Sequence, residues 1–244
     1  MSVLCVSACR IATKRVAVNM LVLLLSLLLA LASSAPSFTV DLTSRVGTPL
    51  NMPLLDCVGS GHGTLLLRAD YQEHLAAVQR DIGFKHIRGH GLLSDDMSTL
   101  LDGKANLYNL FRGFDFYLSV GIKPIFELSF MPDALASDPT KTIMHYKGGT
   151  SPPKDPSKWA AFLAGVVQGC VDRYGLEEVR SWRFEVWNEP NGCGFFCPAS
   201  GKFMEEYFAL YATTAAAVRS VDSLLSVGGP ATANLSWVAE FLSA

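Results

Sequence analysis

Short apolar or β-branched runs alternate with longer stretches of helical periodicity, and this alternation is the feature that most limits the fold. The candidate strands are residues 54–58, 85–88, 123–128, 183–187 and 225–228, and the candidate helices between them are residues 69–80, 107–120, 158–174 and 204–221. Strands and helices that alternate without hairpin signals predict parallel strands joined by crossover helices. No low-complexity linker or internal repeat interrupts the pattern, so we expect one domain.

The spacing of the predicted strands favours an α/β fold with large loops. The 140 residues from Ile87 to Val227 cover three strand-to-strand steps, or about 47 residues a step. That is long for a bare β/α unit and implies sizeable loops on one face. Five strands cannot close a (β/α)8 TIM barrel, which would need roughly three more units. The sequence therefore predicts either an open sheet or a barrel truncated after about five β/α units.

Residues 1–32 differ from the rest and are predicted to be a signal peptide. Three basic residues precede an uncharged, mostly apolar run over residues 16–31, and small residues follow. This order is typical of a cleaved leader, so we expect residues 33–244 to be secreted or delivered to a lumenal or lysosomal compartment. The alternative is an uncleaved membrane anchor, because the run is close to the shortest length that spans a bilayer.

Composition excludes several classes of function. The chain has 20 Lys+Arg against 22 Asp+Glu and is 50% hydrophobic, which is globular composition and rules out disorder. A net charge of -2 without a basic block offers no surface that would neutralise phosphates, so nucleic acid is not an expected partner. No phosphate-binding glycine loop and no G-x-S-x-G elbow are present, and we expect no cofactor.

Four cysteines follow the predicted leader, an even number for an oxidising compartment. Cys193 and Cys197 enclose a short Gly/Phe segment and could close a small disulfide loop, which would leave Cys57 and Cys170 as buried free thiols. Zinc is a weak alternative because one C-x3-C without a nearby His pair lacks the ligand count, so no metal is expected. The Asn-Leu-Ser sequon at Asn234 is a possible N-glycosylation site.

The most informative stretch is an apolar strand that runs into Trp187, Asn188, Glu189 and Pro190. The proline stops ladder pairing, so Asn188 and Glu189 should lie at the strand's C-terminal mouth, where barrel enzymes carry their catalytic residues. A carboxyl group partly desolvated beside Trp187 would have its neutral form favoured, as a general acid requires. The alternative is that Glu189 is a solvated loop carboxylate beside a turn-forming proline.

The string Trp-Asn-Glu-Pro-Asn at the end of an apolar strand resembles the acid/base motif of retaining glycoside hydrolases with (β/α)8 barrels. Further motifs narrow the resemblance to one family: Gly59-Ser60-Gly61, Arg68-Ala69-Asp70-Tyr71-Gln72, Ile82-Gly83-Phe84-Lys85-His86-Ile87-Arg88-Gly89-His90-Gly91, Asp95-Asp96-Met97, Phe126-Glu127-Leu128-Ser129-Phe130-Met131-Pro132, Arg173-Tyr174-Gly175 and Val227-Gly228-Gly229-Pro230-Ala231-Thr232. In matching order they look like glycoside hydrolase family 39, which contains β-xylosidases and α-L-iduronidases. The Phe-Met-Pro and His-Gly-Leu segments look closer to the β-xylosidase branch.

The resemblance implies a retaining O-glycoside hydrolase that acts on carbohydrate and releases terminal sugar units. Glu189 matches the general acid/base, and Asn188 matches the preceding residue that contacts the sugar. His90, at the mouth of the second strand, matches a residue of the glycone pocket. On its own, a histidine between two glycines would more often be a turn residue.

Arg88 lies on the same side of the second strand as His90 by the period of two. Its planar fork could orient Glu189 or pair a buried carboxylate such as Glu127. Glu127 is expected to point into the interior and to need a partner. Phe130 either lines the sugar pocket or packs in the core.

Retaining hydrolysis needs a second carboxylate about 5 Å from the first. In the family that this chain resembles, it lies at the end of the seventh strand. Glu240, the only acid after the fifth predicted strand, falls in a predicted helix, so we expect the nucleophile beyond the end of this chain.

Two interpretations remain open. The chain is either part of a longer secreted hydrolase or a genuine short product that binds sugars without turnover. An α-L-iduronidase-like activity is a further alternative, which would need an additional cation facing the sugar carboxylate.

Overall fold

Five parallel strands form the central sheet of this chain in a computed structural model, which describes residues 38–39, 41 and 55–244. Residues 51–244 form one unit, which contains the described strands and helices. The predicted signal peptide, residues 1–32, lies outside the described residues. Within the described part of the chain, no helix combines the length and the apolar character that crossing a bilayer requires.

The strands and the helices between them alternate as the sequence predicts. The order is β1 (Cys57–His62), α1 (Ala69–Asp81), β2 (His86–His90), α2 (Tyr108–Ser119), β3 (Lys123–Glu127), α3 (Pro156–Tyr174), β4 (Arg183–Glu185), α4 (Phe203–Val221) and β5 (Ser226–Gly228). Two short helices, Leu176–Arg180 and Val238–Ser243, follow α3 and β5.

Each strand pairs in parallel with the next strand along the chain, so the sheet order is the chain order. In register, Val58 lies opposite Ile87. Phe126 lies between Gly89 on one side and Phe184 on the other. Sequential parallel strands with a helix between each pair are the arrangement of a TIM-barrel-type α/β fold. All five carboxyl ends therefore meet at one edge of the sheet.

Two short hairpins correct the prediction of a chain without hairpins. Leu100–Leu101 pairs with Lys104–Ala105, and Thr142–Ile143 pairs with Gly148–Gly149, both antiparallel. Strands of two residues are too short to show an alternating pattern. The first turn did carry a signal, because Asp102 and Gly103 both have positive φ, and Asp-Gly is a preferred pair for such a turn.

Element ends differ from the prediction by a few residues for identifiable reasons. Strand β1 begins at Cys57 and continues to His62, four residues beyond its predicted end at residue 58. Helix α3 begins at Pro156, two residues early, because Asp155 caps it: the Asp155 carboxylate accepts from the backbone N–H of Ser157 and Lys158 at 2.9 and 3.3 Å.

The core lies between the sheet and its helices. Trp159 and Trp182 are buried. The Trp159 indole N–H donates to Thr214 Oγ1 at 2.9 Å, which joins α3 to α4. The rings of Phe114 and Phe126 meet edge to face at 5.2 Å and hold α2 on β3.

Candidate active site

Polar residues end four neighbouring strands at the carboxyl edge of the sheet. Strand β1 ends at His62, β2 at His90, β3 at Glu127 and β4 at Glu185. The Asn-Glu pair predicted to carry the chemistry follows β4 by three and four residues. Because the strands are parallel and adjacent, these side chains converge on one mouth, where α/β barrels bind their ligands.

Arg88 is the centre of a charged cluster. Its guanidinium donates to both carboxylate oxygens of Glu185, at 2.6 and 3.0 Å, and to Asn188 Oδ1 at 3.0 Å. The same guanidinium forms an ion pair with Glu127 at 2.8 Å. Of the two roles that the sequence left open for Arg88, pairing a buried carboxylate is the one that the geometry displays. It also orients Asn188 rather than bonding to Glu189.

Glu127 is fully buried, and both of its carboxylate oxygens have partners. Oε2 forms the ion pair with Arg88 and accepts from His90 Nδ1 at 3.0 Å. Oε1 accepts from the Ser129 hydroxyl and from the Gly91 N–H at 3.3 Å. Burial acts to raise the pKa of Glu127, but the His90 hydrogen bond and the Arg88 charge outweigh it and hold that pKa below its usual value. Glu127 is therefore a carboxylate that supports its neighbours.

His90 uses both ring nitrogens. Nδ1 faces Glu127, and Nε2 lies 3.2 Å from the hydroxyl of Tyr146. The Tyr146 ring in turn stacks on His62, with ring centroids 3.6 Å apart and planes 8° from parallel. His62 Nε2 is 2.6 Å from a carboxylate oxygen of Asp96. A series of contacts thus runs from Asp96 across the mouth to Arg88, with ring stacking between His62 and Tyr146 and polar contacts elsewhere.

Asn188 and Glu189 differ in how they are held. Asn188 is buried, and since its Oδ1 accepts from Arg88, its amide N–H groups remain to donate to a ligand. Glu189 is half-buried, and its backbone N–H donates to Ala231 O at 2.8 Å. Among the described residues, none hydrogen-bonds the Glu189 carboxylate. The nearby Arg88 charge acts on it through space.

The backbone that presents Glu189 is conformationally unusual. Trp187 and Glu189 both have positive φ, at 68° and 44°. Non-glycine residues in this region cost about 1–3 kcal/mol each and cluster at functional sites. The Trp187 indole N–H donates to Phe195 O at 2.8 Å, which fixes the ring beneath the loop. The chain thus keeps a strained geometry at the residue expected to react.

Phe130 is fully buried and takes the packing role that the sequence left open. Its ring meets His90 edge to face at 5.1 Å and lies parallel to Phe195 at 6.0 Å. It therefore supports the pocket wall from behind. A cavity of about 300 Å³ lies at the β4 and β5 side of the sheet and is lined by Phe184, Glu185 and residues 228–231 among others.

The structure joins Cys193 and Cys197 in a disulfide, the pairing that the sequence favours. Cys170 is a buried free thiol, whereas Cys57 is free but exposed, which corrects the expectation that both are buried. Cys57 begins the edge strand β1, which has a neighbouring strand on one side only within the described sheet. Among the described residues, no group of three or more His, Cys, Asp or Glu side chains is arranged to hold a metal ion.

The loop after β5 is tied to the Glu189 segment. Asn191 Nδ2 donates to Asn234 Oδ1 at 3.0 Å and to the Ser236 hydroxyl at 3.2 Å, and Asn191 Oδ1 accepts from the Ala233 N–H at 3.0 Å. Asn234, the predicted glycosylation site, is exposed. Only its side-chain oxygen takes part in these hydrogen bonds, and its amide nitrogen takes part in none of them. N-glycosylation at Asn234 stays a prediction.

Sequence reasoning missed His62 and Tyr146. His62 would have been found by extending β1 through its glycines, because the strand's last residue then reaches the mouth. Tyr146 lies on a hairpin whose pairing leaves no periodic signal. Neither residue stands in a recognisable catalytic motif.

Comparison with known proteins gives consistent results. Residues 39–244 match the family model described as glycosyl hydrolases family 39. The chain is 45% identical to a β-xylosidase of Caldicellulosiruptor saccharolyticus, over 83% of this chain and 41% of that protein, and 47% identical to one of Geobacillus stearothermophilus, over 76% and 38%. A solved family 39 β-xylosidase of Caulobacter crescentus superposes with a TM-score of 0.73 at 39% identity, over 82% of this chain and 45% of that one.

The chain spans about two fifths of the length of the curated relatives it matches. The family match, by contrast, covers most of this chain and includes every strand end described above. The chain belongs to glycoside hydrolase family 39.

Proposed function

We propose that this chain carries the acid/base part of a retaining glycosidase that releases terminal xylose units. The observation that carries the proposal is the pair at the end of β4: Arg88 holds Asn188 by its oxygen, while the adjacent Glu189 carboxyl has no hydrogen-bond partner among the described residues. The β-xylosidase names of two relatives at 45% and 47% identity support a xyloside as substrate.

Glu189 would act twice. In the first step its neutral carboxyl group protonates the glycosidic oxygen as the bond from that oxygen to the anomeric carbon breaks, while a nucleophilic carboxylate bonds to that carbon. In the second step the Glu189 carboxylate takes a proton from the water that releases the sugar. Asn188 would donate to a sugar hydroxyl, a contact that strengthens as the oxocarbenium-like transition state forms.

The acids closest to this pair in the cluster are already engaged. Glu127 accepts four hydrogen bonds or ion pairs, and both oxygens of Glu185 accept from Arg88. A carboxylate with its lone pairs used in this way is a poor nucleophile. We therefore infer that the nucleophile comes from outside this sequence, as the family resemblance implies.

Xylose fits the cluster better than a uronic acid. A sugar carboxylate would need a cation to face it. Arg88, the cation at the centre of the cluster, already neutralises Glu127 and Glu185. The predicted signal peptide and the Cys193–Cys197 disulfide support action in a secretory or extracellular compartment, where disulfides persist.

The test is hydrolysis of aryl β-xylosides by the protein expressed from the complete reading frame that contains this sequence. Glu189→Gln should lower kcat/KM, which reports the first step, about 10²–10⁴-fold for a poor leaving group such as phenol. The loss should be much smaller for dinitrophenol, which leaves without a proton. Glu205→Gln, an exposed acid on α4, is the matched control.

Equal losses of kcat/KM on both leaving groups would rule out Glu189 as the acid, because kcat/KM reports the first step and excludes the second, in which Glu189 acts as base on either substrate. If the wild-type protein binds xylose but hydrolyses neither substrate, the proposed enzyme activity is wrong and the protein is a sugar-binding protein.

A further inference from the structure

The Cys193–Cys197 disulfide closes a short loop between β4 and α4. Two residues inside this loop, Phe195 and Phe196, contact Trp187 in different ways. The Phe195 carbonyl oxygen accepts a hydrogen bond from the Trp187 indole N–H at 2.8 Å. The ring of Phe196 is fully buried and meets the Trp187 ring edge to face, with centroids 5.7 Å apart. The loop therefore holds Trp187 through its backbone and through an aromatic ring.

Trp187 is the residue through which this loop can act on the acid/base. It lies two residues before Glu189, and both residues have positive φ, a conformation that persists only where surrounding contacts enforce it. Asn188, between them, is held separately by Arg88. The Glu189 carboxyl group has no hydrogen-bond partner among the described residues, so its direction depends on its backbone. That backbone is fixed at Ala231 on one side and by the contacts of Trp187 on the other.

The two ends of the loop are anchored unequally. The Cys197 N–H donates to the carbonyl oxygen of the buried Thr150 at 2.7 Å. Cys193 is exposed, and its backbone forms no hydrogen bond within the described part of the chain. Gly192 and Gly194 flank it, and glycine has the largest backbone freedom of all residues. The disulfide is thus the covalent link that ties the free end of this turn to its anchored end.

We propose that the Cys193–Cys197 disulfide positions the acid/base Glu189. The disulfide keeps the two phenylalanines of its loop against Trp187, and Trp187 holds the backbone from which the Glu189 carboxyl group projects. Cys193 and Cys197 are positioning residues that act through Trp187. Opening the disulfide should leave Asn188 in place, because its side chain has its own support, and should let the Glu189 carboxyl group sample more directions. The inference rests on the proposed function, because it needs Glu189 as the proton donor.

The experiment measures kcat/KM for phenyl and dinitrophenyl β-xylosides with the protein from the complete reading frame, expressed in an oxidising compartment. The Cys193→Ser/Cys197→Ser double variant should lose about 10–100-fold on the phenyl xyloside, the effect of a misplaced catalytic group. It should change little on the dinitrophenyl xyloside, which needs no proton from Glu189. Cys57→Ser, which removes an exposed free thiol, is the matched control and should leave both values unchanged.

Combination with Glu189→Gln distinguishes positioning from general support of the fold. If the disulfide acts only through the Glu189 carboxyl group, its removal from Glu189→Gln should cause no further loss on the phenyl xyloside. Residues that act as a unit are non-additive in this way. A loss that multiplies with that of Glu189→Gln would overturn the inference.

Reduction of the folded wild-type protein makes the same test without a substitution and serves if the double variant does not fold. A phosphine gives two electrons to the disulfide and takes oxygen from water to become a phosphine oxide, while the two protons of that water go to the thiols. This treatment should reproduce the loss of the double variant, and reoxidation by oxidised glutathione should restore the activity. The double variant itself should not respond, which excludes other disulfides. Alkylation followed by mass spectrometry counts the thiols at Cys193 and Cys197.

The outcomes separate this inference from the proposed function. Equal losses on both xylosides would mean that the disulfide supports the fold in general, and an unchanged value on the phenyl xyloside would mean that Trp187 is held without it. Thiols at both Cys193 and Cys197 before reduction would show that the link is absent. Each of these results overturns the inference and leaves the proposed function intact, provided that Glu189→Gln still discriminates between the two leaving groups. If Glu189→Gln does not discriminate, both proposals fail.

Discussion

Glu127 and Glu189 stand at neighbouring strand ends in opposite surroundings. Glu127 is fully buried, forms an ion pair with Arg88 and accepts hydrogen bonds from His90, Ser129 and Gly91. Glu189 is half-buried, and no side chain among the described residues hydrogen-bonds its carboxylate. A carboxylate with four donors is held in one charge state, whereas one without partners can give and take a proton. Glu127 is therefore suited to support its neighbours, and Glu189 is suited to the proton transfers proposed above.

Removal of Arg88 should produce the largest effect on stability, because it removes the cation that is paired with the buried carboxylate Glu127. Arg88→Met leaves Glu127 and Glu185 buried or half-buried without their cation, and the loss of one partner from a buried pair costs about 3–5 kcal/mol. Urea unfolding at neutral pH measures this loss in the free energy of unfolding. Arg88→Lys keeps the charge but not the planar fork of the guanidinium, so it should lose less stability. This variant also allows the test to be made if Arg88→Met does not fold.

Arg68→Met is the matched control for Arg88. Arg68 also forms a bidentate pair, with Asp70, but both side chains are more than half exposed. Exposed pairs contribute about 0–1 kcal/mol. Equal losses from the two variants would mean that the Arg88 cluster is no better protected from water than the surface pair.

Glu127→Gln should have an intermediate effect that depends on pH. All four groups around Glu127 are donors, so an amide must turn its own N–H groups toward at least one of them. We expect a loss of about 1–3 kcal/mol at neutral pH. Because the folded-state pKa of Glu127 is lowered, its stabilisation is fully present above the unfolded-state pKa of about 4.3 and is lost as the pH falls through the folded value.

The gap between wild type and Glu127→Gln should therefore narrow below about pH 5. Urea unfolding at several pH values between neutral and acid measures this gap. Glu73→Gln, an exposed acid on α1, controls for general loss of negative charge. A gap that widened toward acid would contradict a lowered pKa at Glu127.

The sequence was sufficient to predict what depends on strand order. Parallel strands put their carboxyl ends together, so Arg88, His90, Asn188 and Glu189 could be placed at one mouth without coordinates. It was not sufficient to choose among partners. Arg88 had two possible roles, and only three-dimensional packing shows that Glu127 and Glu185 flank it.

Tyr146 marks the limit of sequence reasoning. It lies 56 residues from His90 on a hairpin with two-residue strands, and no local pattern connects the two side chains. Long-range contacts between loops depend on the packed positions of the elements that carry them.

The smallest expected effect on stability is that of Glu189→Gln. This variant tests the contrast between Glu127 and Glu189 most directly. No side-chain hydrogen bond is lost among the described residues, so the free energy of unfolding should change by less than about 0.5 kcal/mol. The amide has nearly the same shape and keeps the positive φ of 44° that Glu189 already has, so no new backbone strain arises. Urea unfolding of this variant beside Glu127→Gln measures the contrast. A loss comparable to that of Glu127→Gln would mean that Glu189 is a structural carboxylate, whereas a near-zero change combined with a large loss of hydrolysis would assign it to the chemistry alone.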